Sequence, residues 1–233
     1  MDGVRQKMIE LAVYNRNGQE VDKLKVEESI LGGSVRYALL KQAIVMYHAN
    51  KRVGTAVTKG RGDVEGSTRK IYAQKHTGNA RAGTIRTGKR VGGGMTFAKM
   101  ARDFSKKMPK KQKRLARDSA VLGKLLSNNV VVVDELKFNE PRTREFVTVL
   151  NNLKIDRSCL VTTASADANL YKSARNVPRI TVMPVAQLNA GDICGHRKML
   201  FTKEAFLSLL GKEAPEGQAE GLALRSPKGE VGN

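Results

Sequence analysis

A few short stretches of this sequence carry residue types that can do chemistry. Gly83-Thr84-Ile85-Arg86-Thr87-Gly88-Lys89 fits the first seven positions of a phosphate-binding loop, G-x-x-x-x-G-K. Val130 to Glu135 (VVVVDE) resembles the strand plus acid that holds Mg²⁺ in ATPases built on such a loop. Together they would seat and hydrolyse a nucleoside triphosphate. That chemistry demands a buried strand before the loop and a helix after it, so that backbone N–H groups and the helix dipole meet the phosphates. The preceding residues, Gln74 to Arg81 (QKHTGNAR), cannot be a buried strand, and Val91-Gly92-Gly93-Gly94 cannot start a helix. The eighth position, which should offer a hydroxyl to the metal, is Arg90. ATP hydrolysis is therefore the most distant of the alternatives.

Other reactive residues fall short sooner. Cys194-Gly195-His196 supplies too few ligands for a metal site, and His48, His76 and His196 are far apart in sequence. Arg61-Gly62-Asp63 matches an integrin-binding tripeptide by coincidence, within a basic stretch. Cys159 lies in an apolar run and reads as an inert core thiol. Asp134 and Glu135 read as capping or surface acids. No nucleophile–base set assembles, so the expectation is a protein that is not an enzyme, with no catalytic residue, cofactor or metal.

The charge is more informative. The chain has 233 residues, 42 Lys and Arg against 22 Asp and Glu, and a formal net charge of +20. Between Lys51 and Arg117 there are 20 basic residues and three acids (Asp63, Glu65, Asp103), whereas the rest of the chain holds 22 basic and 19 acidic residues. Nearly all the excess charge thus sits on one limb of an otherwise neutral body, and a polyanionic partner is implied. No stretch approaches 18 consecutive apolar residues, and Met1 to Tyr14 lacks a secretory pattern, so no membrane association or export is expected. Two cysteines cannot build a disulfide framework, which suits a reducing, cytoplasmic compartment.

The limb is also poor in apolar residues. Gly54 to Gly94 has six larger ones (Val57, Val64, Ile71, Tyr72, Ile85, Val91) with no helical or alternating period, and ten of the 22 glycines lie between Lys51 and Arg117. Such a segment cannot bury enough surface to offset the entropy of ordering itself. As a hairpin it would reach about 65 Å, from roughly 3.3 Å per residue. Its rings (Tyr72, Phe97, Phe104) are too few for a run of stacked bases. Glycines permit close approach to phosphates, and arginines fork onto phosphates or stack on bases. The composition favours insertion into folded RNA over reading of duplex DNA, for which no helix-turn-helix or zinc pattern is present.

The body must position this limb. Met8–Tyr14 and Glu20–Leu24 flank Asn17-Gly18, a hairpin signal. Ser34 can cap a helix to about Asn50, with Val35, Leu39, Ala43 and Met46 on one face. Pro109 opens a helix with Leu115, Ser119, Leu122 and Leu126 on one face, and Pro141 opens another carrying Phe146, Val149, Leu150 and Leu153. Val130–Val133, Cys159–Val161, Ile180–Met183 and Met199–Phe201 read as strands, with short helices at Ala168–Asn176 and Thr202–Leu210. The alternation predicts an α/β fold, a mainly parallel sheet with helices on both faces, plus a long basic extended loop. The expected organisation is a globular domain of residues 1–50 and 105–211, a loop of residues 51–104, and a disordered tail from 212 to 233.

Four stretches then resemble one family. They are Gln74–Arg86 (QKHTGNARAGTIR) followed by Gly92–Phe97 (GGGMTF); Lys106–Ala116 (KKMPKKQKRLA) with Ser119-Ala120; Asn169–Pro178 (NLYKSARNVP); and Leu188-Asn189 with Asp192, then Leu200–Ala205 (LFTKEA). In this order and spacing the chain resembles large-subunit ribosomal protein four, over most of Met8 to Leu210. The resemblance implies a structural constituent of the large ribosomal subunit that binds large-subunit ribosomal RNA and joins early in assembly. Neighbouring ribosomal proteins and the nascent peptide are the other implied partners. The expected location is the cytoplasm, bound to the ribosome, or an organellar ribosome. A free RNA-binding regulator of a messenger RNA is the alternative.

The expected RNA-binding residues are Lys51, Arg52, Lys59, Arg61, Arg69, Lys70, Lys75, Arg81, Arg86, Lys89, Arg90, Lys99, Arg102, Lys106, Lys107, Lys110, Lys111, Lys113 and Arg114. The resemblance places the loop tip, lining the peptide exit tunnel, at Tyr72, Ala73, Gln74, Lys75, His76, Thr77, Gly78 and Asn79. Within this stretch the sequence departs from the family pattern, with His76 where Gly is usual and Asn79 where Arg is common.

Overall fold

The computed structural model describes residues 8–211. The tail expected from residue 212 lies outside the described residues. The chain divides into two compact units: one joins the residues up to Leu40 with those from Lys110 onward, and the other is Lys41–Pro109.

The first unit is built on a six-stranded sheet. Strands β1 (Met8–Tyr14) and β2 (Glu20–Glu27) form the antiparallel hairpin that Asn17-Gly18 predicts. The Asn15 carboxamide oxygen holds the turn, accepting from the Asn17 and Gln19 amides at 2.9 and 3.0 Å. The remaining strands are β3 (Val130–Val133), β4 (Cys159–Thr163), β5 (Ile180–Pro184) and β6 (Lys198–Thr202). Their order is β2-β1-β3-β6-β4-β5, and every pairing except β1 with β2 is parallel. The central strands β3, β4 and β6 are short and almost wholly buried, as apolar runs covered on both faces are, whereas the edge strands β2 and β5 are largely exposed or half-buried.

Register sorts the two faces. Val131, Leu200, Val161 and Val182 lie in one cross-strand row. This face packs with Phe146, Val149 and Leu150 of α3 (Thr143–Asn152) and with Leu170 and Ala174 of α4 (Ala168–Ala174). The alternate row holds Val13, Val132, Phe201 and Thr162. Phe201 meets Phe206 of α6 (Lys203–Leu209) edge to face, with ring centroids 5.4 Å apart. Helices therefore cover both faces, and the α/β fold with a mainly parallel sheet is as expected.

Helix ends follow from their caps. Asp167 opens α4 by accepting from the Asn169 and Leu170 amides, and Thr202 opens α6 by accepting from Ala205. Beyond α2 (Lys110–Leu126), Asn128 takes φ +52° while the Asn129 amide donates to Lys124 O at 3.0 Å, a Schellman closure. Lys154 and Ile155 close α3 in the same way.

Three local readings differ from expectation. Helix α1 spans Tyr37–Lys51, so it begins after Ser34, behind a 3₁₀ turn at Glu28–Leu31. The buried face of α2 runs through Ala116, Ser119, Ala120, Val121, Leu122 and Leu125, leaving Leu126 53% exposed. Ser119 and Leu122 lie on it as predicted, whereas Leu115 is half-buried and the small Ala116 and Ala120 are buried instead. A further helix, α5 (Ala190–Gly195), is capped by the Asn189 side chain on the Asp192 amide at 3.0 Å.

Candidate nucleic-acid interface

The Lys41–Pro109 unit carries 16 Lys and Arg against three acids. Beyond α1 it contains no helix or strand, only the isolated bridges Gly60–Met95 and Lys70–Thr84. Its order comes instead from discrete contacts between an outgoing and a returning leg. At the base, the Asn50 side chain bonds both backbone groups of Lys106, accepting its N–H at 2.7 Å and donating to its carbonyl at 3.2 Å. Just beyond, the guanidinium carbons of Arg52 and Arg102 lie 3.9 and 4.2 Å from the centroid of the Phe104 ring. Two cations that close to one ring take opposite faces, so the ring is sandwiched between them. Gly54 makes this possible: with φ +75°, a Cβ there would lie 2.2 Å from Arg102 O.

Further out, the Thr58 amide donates to Lys99 O and the Met95 amide to Lys59 O, both at 2.9 Å. Gly94 is buried, and a Cβ there would stand 2.3 Å from the Arg61 nitrogen, so the returning leg lies directly on the outgoing one. Arg86 reaches back across the legs, donating to Val64 O at 3.0 Å. Nearer the tip, Lys70 Nζ bonds Ala82 O at 2.7 Å and Gln74 Oε1 at 2.9 Å, the Ile71 amide donates to Gly83 O, and the Tyr72 hydroxyl donates to Ala80 O. Between these last contacts run residues 73–79, and His76 there takes φ +65°.

Of the nineteen predicted RNA-binding residues, eighteen are exposed; Arg86 is half-buried. No ion pair among the described residues involves any of the nineteen. The structure splits their roles. Arg52, Arg102, Lys70 and Arg86 have side-chain partners within the unit and hold the legs together. Lys59, Arg61, Arg69, Lys75, Arg81, Lys89, Arg90 and Lys99 are exposed on the legs and form no ion pair among the described residues. Lys51, Lys106 and Lys107 lie at the base. Lys110, Lys111, Lys113 and Arg114 occupy the exposed first turns of α2, in the other unit. Asn50 and Phe104 escaped the sequence reading as structural anchors. Only the flanking arginines hinted at the second, and nothing local marked the first.

The alternative chemistries find no support in the geometry. The seven residues Gly83–Lys89 form turns, with neither a strand before them nor a helix after. Glu135 is paired with Lys137, whose cation holds the carboxyl below its usual range. Both ring nitrogens of His196 are engaged, Nδ1 with Asp192 O at 2.9 Å and Nε2 with Thr181 Oγ1 at 3.0 Å. Cys159 is buried in the sheet, and burial pushes its thiol up to about 12. No group of three or more His, Cys, Asp or Glu among the described residues is arranged to hold a metal ion.

Residues 24–212 match the model of one family, described as the ribosomal protein L4/L1 family. The chain belongs to that family. It is 42% identical over 198 residues to the large ribosomal subunit protein uL4 of Symbiobacterium thermophilum, covering 85% of this chain and 96% of the relative. The uL4 of Carboxydothermus hydrogenoformans is 42% identical over 202 residues, 87% of this chain and 98% of its own. That of Pelotomaculum thermopropionicum is 43% identical over 195 residues, 84% and 94% of the two chains. His76 adopts the left-handed conformation, which a Gly takes without steric strain.

Proposed function

We propose that this chain is a structural constituent of the large ribosomal subunit, bound to the ribosome in the cytoplasm, and not an enzyme. In this reading residues 1–50 and 105–211 form the globular part, and residues 51–104 a loop that threads through large-subunit ribosomal RNA. Its tip, Tyr72 to Asn79, lines the peptide exit tunnel beside the nascent chain, and the protein joins the subunit early, alongside neighbouring ribosomal proteins. The observation that carries the reading is a row of exposed cations on two legs that are joined by few contacts of their own. Such legs gain from a polyanion that replaces water and supplies the missing contacts, and each phosphate neutralised releases a counterion. Membership of the ribosomal protein L4/L1 family supports the choice of ribosomal RNA over other polyanions. No helix among the described residues is long and apolar enough to cross a membrane.

The test is sedimentation of a native lysate through a high-salt sucrose gradient, following this chain. Co-migration with the large subunit, at salt that strips loosely bound basic proteins, is the expected result. Recovery at the top of the gradient would overturn the reading in favour of a free regulator. Deleting Thr55–Gly92 should leave a soluble body with much weaker affinity for ribosomal RNA, and unchanged affinity would sink the role given to the loop.

A further inference from the structure

We propose that Phe97 is a stacking platform for one unstacked base of the bound RNA; this deepens the RNA-binding reading above and rests on it. Three Phe or Tyr rings lie between Lys51 and Arg117, and one of them, Phe104, lies between two guanidinium groups. Tyr72, whose hydroxyl donates to Ala80 O, is half-buried and lines the same groove as Phe97. Phe97 is 93% exposed. It borders a groove of about 910 Å³ whose walls also include Met95, Met100, Arg61, Arg81 and Arg90. That volume lies at the upper end of the roughly 300–1,000 Å³ typical of small-molecule sites, enough for a base with its sugar.

The backbone on either side of the ring is held in place. Met95 is fixed by its amide bond to Lys59 O at 2.9 Å, and Lys99 by two bonds to Thr58, at 2.9 Å through its carbonyl and 2.7 Å through its amide. Gly94 presses the chain just before Met95 onto Arg61. Residues 96–98 therefore form a short span pinned at each end, with Phe97 exposed on it, and a backbone already held lowers the ordering cost of binding. The charge on the groove selects the occupant. Arg61, Arg81 and Arg90 are exposed beside the ring and belong to no ion pair among the described residues. A cationic rim around an apolar ring suits a phosphodiester backbone with its base turned inward. Phe97 is the exposed ring of the groove while Tyr72 is half-buried, so one base stacks there and not a run of them.

The experiment compares the full chain with Phe97→Ala and Phe97→Tyr, binding each to deproteinised large-subunit ribosomal RNA and to a control RNA of equal length. Base-edge chemical probing of each complex is run in parallel. Phe97→Ala is expected to bind ribosomal RNA about 5- to 150-fold more weakly, from the usual contribution of one stacked base. It should keep the wild-type salt slope and lose protection at one or two bases, and Phe97→Tyr should restore both affinity and protection. Circular dichroism should show all three chains equally folded, since the ring is exposed. Wild-type affinity and unchanged protection in Phe97→Ala would overturn the proposal while leaving RNA binding intact. So would equal losses in both variants with no change in base protection. If the wild-type chain itself does not prefer ribosomal RNA to the control, the parent reading falls, and this one with it.

Discussion

The side-chain amide of Asn50 pairs with the peptide unit of Lys106 as a neighbouring strand would, accepting at 2.7 Å and donating at 3.2 Å across 56 residues of sequence. Together with Arg52, Phe104 and Arg102, this pair sets how far apart the two legs stand where they leave the end of α1. The fixed spacing comes from two ordinary hydrogen bonds and a stacked ring, without any regular sheet.

Replacing Asn50 tests this pairing directly. Asn50→Ala removes both bonds, while Asn50→Asp keeps an acceptor for the Lys106 amide. Hydrogen exchange of that amide should quicken about 2- to 10-fold in the alanine variant, as expected from losing a bond worth about 0.5–1.5 kcal/mol. The aspartate variant should stay near wild type at this amide. Equal exchange in all three chains would show that the pairing does not close the base.

The backbone at residue 76 yields a second expectation. A non-glycine residue at φ +65° carries a strain of about 1–2 kcal/mol, part of which a glycine returns as lost chain entropy. His76→Gly should therefore firm the tip, slowing exchange of the Ile71 amide, which donates to Gly83 O at 3.1 Å, by several-fold. His76→Val should do the opposite. A faster Ile71 amide in the glycine variant would contradict the assignment of strain to this residue.

The two cysteines differ in burial, and the buried one should make stability depend on pH. Cys194 is exposed and Cys159 buried, so a thiol reagent should modify one group rapidly in the native chain and both in denaturant. Burial raises the Cys159 thiol to about 12, against 9.0 for an unperturbed thiol. Between those values the folded chain keeps a proton that the unfolded chain loses. The associated stability is thus full below pH 9 and falls as pH rises toward 12. Urea unfolding at a series of pH values above 9 should show a shallower decline in Cys159→Ala than in wild type.

Salt dependence separates cations that meet phosphate from those that do not. Lys110→Gln and Lys111→Gln should each flatten the dependence of log affinity on log salt by about 0.9, if the contacted RNA is duplex-like. Lys25→Gln is the control, since Lys25 sits on β2 beside Glu10 at 3.5 Å. A flattening of the same size in the control would mean that affinity reflects net charge alone.

Much of the body was legible because its signals are local. Asn17-Gly18 announced a hairpin, four consecutive valines announced β3, and the proline-led apolar periods announced α2 and α3. The burial of Ala116 and Ala120 on α2 was not legible, since they are apolar enough for the core and small enough to pass for surface. Helix α5 has only six residues, too few for a period to show, and the one clue to it was Asn189 three residues before Asp192. In the Lys41–Pro109 unit the cations could be read as charge but not as partners. That Arg86 holds the legs while Arg90 does not depends on a carbonyl 22 residues away at Val64.

The sheet register also bears on the order of synthesis. Val13 on β1 pairs with Val132 on β3, and β1 has no parallel neighbour earlier in the chain. A ribosome adding about 5–20 residues per second takes roughly 6–24 s between these two valines. During that interval the whole cationic limb is made behind the hairpin and α1, while β3, β4, β5 and β6 have yet to be made. The limb's cations are thus made before most of the sheet, a window in which an RNA at hand can compete for them.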